Sequence, residues 1–259
     1  MRVLILSSGG KDSSYATWWA FMRGWDVIGM VTVRILDSDS MMFQVPSTAL
    51  AGLQSASAGI PWLPIPLYGD ESTEMHELEV ALEGVVRGSL KSRSGIWSSE
   101  EKESSQWPEG WVWPEQLTRL RPDLPIDAIV VGALRSDYQK TRIEQMCQRL
   151  GVKSFCPLWH HEGISHMRDL VNHGHVVMMT SVTSDGLGEE WLGKILDKYS
   201  LIDLERLSDK FRFNVDGEGG EFETTVLDAP WMKKRIQTHY TPHWTGRRGW
   251  LDIWAAELV

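Results

Sequence analysis

"RVLILSSGGKDSSYATWWAFMRG", residues 2–24, decides how the rest of the chain is read. It opens on a continuous apolar run, residues 2–7, of the kind shown by a strand buried on both faces of a parallel sheet. From Ser13 to Arg23 the pattern is helical: Ala16, Trp19, Ala20 and Arg23 share a face, and Gly24 stands at the C-terminal stop. Between strand and helix lie Gly9 and Gly10, then Lys11, Asp12 and Ser13. A glycine-rich turn between a first strand and a first helix sits at the carboxyl edge of the sheet, where open α/β folds bind ligands.

The residue types in that turn suit phosphate. Gly9 and Gly10 let backbone N–H groups approach phosphate oxygens, and the helix behind them offers unpaired N–H groups at the positive end of its dipole. Lys11 adds a mobile positive charge; Ser8 and Ser13 add hydroxyl donors. Asp12 has two readings, as a cap for the helix or as a ligand for a Mg²⁺ ion that bridges phosphates. Neither the Walker spacing nor G-x-G-x-x-G is present. A tight turn with a capped helix is the plain alternative. The position of the turn favours phosphate binding. "SGGKDS" (8–13) resembles the PP-loop of the N-type ATP pyrophosphatases. The resemblance implies that ATP is split between its α and β phosphates to AMP and pyrophosphate. Positioning and charge neutralisation would then carry most of the catalysis.

Working outward, strand and helix alternate. Strands are expected at 26–35, 62–67, 127–134 and 153–159, and helices at 48–59, 71–87 and 137–151. This predicts an α/β fold, a Rossmann-like parallel sheet with helices on both faces. After Trp159 the rhythm changes to a helix (165–173), a strand (175–182), helical stretches (188–198 and 200–211) and further strands. We therefore expect a PP-loop ATP-binding domain over 1–159 and a smaller C-terminal α+β substrate domain over 160–259. Residues 88–125 are rich in Ser, Glu and Pro and hold Trp97, Trp107, Trp111 and Trp113. They read as a surface insertion, with a lid on the substrate side as the sharper alternative.

Composition removes several classes. The 259 residues carry a formal charge of −9, which argues against a broad grip on nucleic acid. No run approaches the roughly 18 apolar residues of a membrane span, and "MRVLIL" is too short for a secretory signal, so a cytoplasmic protein is expected. Cys147 and Cys156 form no disulfide framework or metal spacing and read as small apolar side chains. His160, His161 and His166 match no metal site and read as surface or domain-junction residues, as do His173 and His175. "KKR" (233–235), with Arg247 and Arg248 beside Trp244 and Trp250, reads as a solvated edge or as a contact for a ribosomal factor or RNA. Homo-oligomerisation is left open.

Two later stretches narrow the chemistry. In "GALRSDYQKTRIEQMCQRLGV" (132–152), Gly132 and Ala133 are small where bulk would block a nucleotide. Ser136 or Asp137 would cap the following helix, and Tyr138, Arg142 and Glu144 occupy its first turns. In "VDGEGGEFETTVLDAP" (215–230), three glycines and three glutamates fall between Gly217 and Glu223. Close carboxylates suit a metal, an ammonium ion or acid–base work, and the plain alternative is a solvated hairpin turn.

Together with the PP-loop, these stretches resemble the diphthine–ammonia ligase family along nearly the whole chain, "PLW" (157–159) and "GLGEEWLGKILD" (186–197) included. The resemblance implies that ATP, with Mg²⁺, adenylates the carboxylate of diphthine on translation elongation factor 2. Ammonia, supplied as ammonium, then displaces AMP. It places ATP on Ser8, Gly9, Gly10, Lys11, Asp12, Ser13 and Gly132, with Asp12 as the candidate Mg²⁺ ligand. It places the nucleotide or diphthine near Ser136, Tyr138 and Arg142, diphthine or ammonia near Glu218, Gly219, Gly220, Glu221, Glu223 and Thr224, and a substrate contact at Gln44. Lys11, Asp12 and Glu221 are the catalytic candidates. The chain departs from the family in "MMFQVPS" (41–47), where Gln44 and Ser47 stand in place of an expected His and Asn. The rival readings are a tRNA-modifying PP-loop enzyme, disfavoured by the missing CxxC and the acidic balance, and a non-catalytic ATP-sensing module.

Overall fold

The computed structural model describes residues 1–35, 45–67, 74–88, 95–133 and 137–259. In chain order the first half runs β1 (Arg2–Leu6), α1 (Lys11–Met22), β2 (Asp26–Ile35), α2 (Val45–Ala58), β3 (Trp62–Leu67), α3 (Glu74–Val86), α4 (Ser99–Ser104), β4 (Ala128–Val131), α5 (Asp137–Leu150) and β5 (Lys153–Phe155). Its five strands form one parallel sheet in the order β3-β2-β1-β4-β5. Side chains alternate across a strand, so Val3 and Ile5 enter one core while Leu4 enters another. α1 and α2 cover the first face with Ala16, Ala20 and Ala56; α3 and α5 cover the second with Leu78, Leu82, Ile143 and Met146. Burial on both faces explains why these strands are apolar throughout instead of alternating.

The second half adds α6 (Gly163–Asn172), β6 (Val176–Val182), α7 (Lys198–Phe211), β7 (Phe222–Asp228), β8 (Ile236–Trp244) and β9 (Gly249–Leu258). Its strands form an antiparallel sheet in the order β7-β6-β9-β8, giving the α+β arrangement. α1 lies between the two halves. Its Ala16 and Ala20 share one core with Met167 and Leu170 of α6, Val177 and Met179 of β6 and Val226 of β7. Each fully buried Leu or Met there contributes about 1.5–3 kcal/mol. No helix among the described residues is long and apolar enough to cross a membrane.

Several expectations need correction. The helix expected at 188–198 is only a 3₁₀ turn, Glu189–Trp191, anchored by the buried Trp191. Gly193 follows at φ +75, and Asp197 accepts hydrogen bonds from the amides of Tyr199 and Ser200, which starts α7 there instead. The strands expected at 127–134 and 153–159 are shorter, and turns closed by Trp159 N–H to Cys156 O and by His161 N–H to Leu158 O follow β5.

The described part of the tryptophan-rich segment is packed into the fold by its tryptophans. Trp97 and Trp111 are buried, and Trp107 packs edge-on against Trp62 of β3. Thr118 O accepts from Trp62 N–H, and Leu120 N–H donates to Trp62 O, so the segment runs beside β3. Trp111 Nε1–H donates to Ile253 O of β9 at 3.1 Å. The segment thus wedges the two sheets together, and none of its described residues lines the cavity discussed below. The basic residues also separate: Lys233, Lys234 and Arg235 precede β8 and Arg247 and Arg248 follow it. A nine-residue strand of roughly 30 Å keeps them from forming one patch.

Candidate active site

β1 has β2 on one side and β4 on the other, so the sheet order reverses at its carboxyl end and a crevice opens there. A cavity of about 760 Å³ fills it. Leu6, Val31, Val33 and Val131 make an apolar floor at the strand ends, and Ser8, Asp12, Ser13, Gly132, Tyr138, Arg142 and Glu218 supply polar groups and backbone. With Ala133, eight of the residues singled out in the sequence thus come to one place.

The 8–13 turn owes its path to Gly9, whose φ of +86 is left-handed. Gly10 is the N-cap of α1 and brings no side chain to cap it. Asp12 does not take that role. Its Oδ2 accepts from Lys11 Nζ at 2.8 Å, and its Oδ1 lies 2.8 Å from Nε2 of His166 on α6. Burial alone would lower the Lys11 pKa, but Asp12, with Asp216 and Glu218 behind it, holds it above the ordinary lysine value. Burial alone would raise the Asp12 carboxyl, but Lys11 and His166 hold it below the usual carboxylate range. Both groups therefore stay charged at neutral pH.

The turn is fastened to β7, which carries the end of the glutamate-rich motif. Val226 N–H donates to Gly9 O at 3.0 Å, and Gln54 Nε2 of α2 donates to both Gly9 O (2.9 Å) and Val226 O (2.7 Å). Lys11 N–H donates to Thr224 Oγ1 at 3.3 Å, and a Cβ on Gly10 would sit 3.2 Å from Thr224 O. Gly132 admits the end of β4 against the same turn. A Cβ there would stand 2.6 Å from the Asp12 carbonyl carbon and 2.7 Å from Ser13 N. The need for a small residue at 132 thus arises from the protein's own backbone.

On α5, Arg142 Nη1 donates to Tyr138 Oη at 2.5 Å, and the guanidinium lies over the Tyr138 ring at 4.9 Å. Ser136 and Gln44 lie outside the described residues, as does the side chain of Ser47. In the glutamate loop, Gly217 (φ +76) and Gly220 (φ +79) make the left-handed bends. Glu218 reaches the cavity. Glu221 does not line it: its Oε1 accepts from the backbone and side-chain N–H groups of Asn214, both at 2.8 Å, and its Oε2 from Gly219 N–H at 2.7 Å. Glu223 is exposed on β7 and also off the cavity lining.

Two residues that matter here were given no role at the site. His166, read as a surface or domain-junction histidine, is fully buried at the junction of the two halves, and Gln54 is fully buried at the crossing of loop, helix and sheet. The only trace of either in the sequence is a polar residue on an otherwise apolar helical face. Cysteine chemistry is weak: burial pushes the Cys147 thiol up to about 12 and raises that of Cys156, so neither is a ready thiolate.

The residues present fit a nucleotide. An apolar slot at the strand ends shares the cavity with Ser8, Asp12 and Ser13 of the turn, and the uncapped start of α1 at Gly10 and the buried Lys11 lie between them in the chain. Among the described residues no three His, Cys, Asp or Glu side chains gather as a metal cage. Magnesium bound through one or two carboxylates plus phosphate needs no such cage; Asp12, Glu74 and Glu218 are the carboxylates on the cavity wall, and Asp12 and Glu218 belong to the two glycine-rich motifs.

Residues 1–106 and 101–154 match the diphthamide synthase N-terminal domain, and residues 162–259 match the diphthamide synthase C-terminal domain. The chain is 33% identical over 247 residues to a diphthine–ammonia ligase of Schizosaccharomyces pombe, covering 91% of this chain and 36% of that protein. To the diphthine–ammonia ligase of Homo sapiens it is 30% identical over 245 residues, covering 91% and 82%, and to that of Danio rerio 28% over 243 residues, covering 91% and 86%. It thus spans about a third of the fission-yeast relative's length and more than four-fifths of the human and zebrafish ones.

Proposed function

The chain belongs to the diphthamide synthase family, and on that premise we propose that it is a diphthine–ammonia ligase acting on elongation factor 2. The observation that carries the reading is the meeting of the 8–13 turn, Tyr138, Arg142 and Glu218 in one cavity at the sheet's switch point. Residues 1–159 serve as the ATP-binding domain and 160–259 as the domain that completes the substrate side.

The adenine ring lies against the apolar strand ends, Leu6, Val31, Val33 and Val131, and the phosphates lie along Ser8, Gly9, Gly10 and Ser13. Lys11 neutralises charge that builds on the phosphates as pyrophosphate leaves, which is where a preorganised buried charge is worth most. Asp12 and Glu218 would hold a magnesium ion, which would supply further neutralisation. Arg142, steadied by Tyr138, orients the diphthine carboxylate. One carboxylate oxygen attacks the α-phosphorus and pyrophosphate departs. Ammonium gives up a proton to solvent, the lone pair of the ammonia attacks the acyl carbon, the bond to the adenylate oxygen breaks, and AMP leaves as the nitrogen releases a second proton to solvent and the amide forms. Glu221 acts on this indirectly, by holding the loop that presents Glu218.

The nucleotide product tests the reading. Purified chain with Mg-ATP, ammonium and diphthine-bearing factor is expected to release AMP, and a Lys11→Ala control to release it far more slowly. AMP formed only with tRNA would replace the protein substrate by an RNA one. ATP bound without turnover would favour a sensing module, and ADP as product would overturn the PP-loop chemistry.

A further inference from the structure

We propose that His166 is a positioning residue for the reaction, acting through Asp12 on the charge of the phosphate-binding turn; the inference rests on the ligase reading above. His166 belongs to α6, 154 residues along the chain from Asp12, yet its Nε2 lies 2.8 Å from Asp12 Oδ1. Its ring is fully buried and stands edge-on to Tyr15 of α1, with centroids 5.1 Å apart. A carboxylate only accepts, so the hydrogen of this contact is assigned to Nε2. The other ring nitrogen, Nδ1, has no hydrogen-bond partner among the described residues. The contact with Asp12 is therefore the polar interaction that fixes how the ring sits.

The geometry gives this contact a specific job. Asp12 has its two oxygens gripped from different directions, Oδ2 by Lys11 and Oδ1 by His166. Lys11 must shift part of its attention to phosphate when a nucleotide binds. A carboxylate held by Lys11 alone would follow it, whereas one also held by a buried imidazole stays in place. His166 thus keeps Asp12 fixed as a magnesium-side carboxylate while Lys11 turns to the phosphates. It also makes the turn depend on both halves of the chain, because Met167 and Leu170 of α6 share one core with Ala16 and Ala20 of α1.

Outer partners of this kind change rates by about 10–100-fold when removed, while leaving the main ligand contacts in place. Nucleotide affinity comes from the apolar floor and the turn itself, so the loss belongs to kcat. The test compares wild type, His166→Leu and His166→Gln in factor-dependent AMP formation, with thermal unfolding of each. Gln can place an N–H near the position of Nε2; Leu cannot. We expect His166→Leu to lose about 10–100-fold in kcat with KM for ATP changed less than about 3-fold, and His166→Gln to recover most of the loss. Undiminished kcat in His166→Leu would overturn the proposal while leaving the ligase reading intact. Equal losses in both variants, tracking equal losses in Tm, would reduce His166 to a packing residue. Should His166→Leu fail to fold, His166→Gln must still turn over within about 5-fold of wild type, and a deeper loss overturns the proposal. Wild type that forms no AMP would overturn the ligase reading and this inference with it.

Discussion

The turn at residues 8–13 and the loop at 217–224 are both glycine-rich and both charged, yet they deploy their charges in opposite directions. In the first, Lys11 and Asp12 are paired with each other, and Asp12 remains on the cavity wall. In the second, Glu221 turns back to accept three N–H groups from Asn214 and Gly219 and shapes its own loop. Only Glu218 of its three glutamates reaches the cavity lining. The difference follows from backbone supply. The first turn hands its carbonyl to Val226 and Gln54, so neighbouring elements satisfy it. The second bends at Gly217 and Gly220; Thr183 donates to its Gly220 and Glu221 carbonyls, and the Asn214 and Gly219 N–H groups go to the Glu221 carboxylate. A carboxylate in a glycine-rich motif is therefore as apt to be scaffold as ligand.

The largest expected effect is on the first turn. Lys11→Ala should cut AMP formation by about 10²–10³-fold, the usual loss for one preorganised electrostatic group. A smaller loss than that of Glu221→Gln would break the comparison outright. Acid comes next, because it strikes the foundation of the turn and not the turn itself. His175, buried beside Trp18 of α1, is driven by loss of solvation from 6.5 down to about 4. Its folded form stays neutral, so the unfolded chain binds the extra proton: stability is intact above about 6.5 and falls as pH drops toward 4, by up to about 3 kcal/mol. Asp12 behaves differently. Its lowered carboxyl contributes stability above the unfolded carboxylate value and loses it only at more acid pH. Urea melts at pH 7 and pH 4.5 should show the loss in wild type, and a His175→Leu variant should flatten it.

Gly132→Ala tests the close approach of β4 to the turn. With a Cβ forced to 2.6–2.7 Å from Asp12 and Ser13 backbone, it should cost about 1–3 kcal/mol, read as a fall in Tm. The smallest and sharpest test is the pair of glutamates. Glu218→Gln should lower turnover about 10-fold without changing Tm. Glu221→Gln should lower stability by about 1 kcal/mol, because an amide donor then faces N–H groups. The reverse pattern would exchange the two roles.

Much of this arrangement was legible before any coordinates. Apolar runs such as "RVLIL" announce buried parallel strands, and glycines after the first strand mark the crevice end of the sheet. What periodicity does not carry is a partner far along the chain. His166 reads as one more polar residue until α6 docks on α1, and Gln54 is anonymous until β7 arrives beside Gly9. The tryptophans at 97–113 look like a loop because their partners, Trp62 and Ile253, lie in other elements. The stretch at 188–198 has helical periodicity, but Gly193 and the capping side chain of Asp197 overrule it. Glu221 was singled out for its charge, and only its hydrogen bonds reveal that it serves the loop.

The central claim, that the cavity joins ammonia to an activated carboxylate, is tested most directly by following the nitrogen. Diphthine-bearing elongation factor 2 would be incubated with the chain, Mg-ATP and heavy-nitrogen ammonium, and its modified histidine examined by mass spectrometry. The account predicts an amide that carries the heavy nitrogen, formed in step with AMP and lost in Lys11→Ala. AMP release with the carboxylate unchanged, or label appearing without ATP, would contradict it.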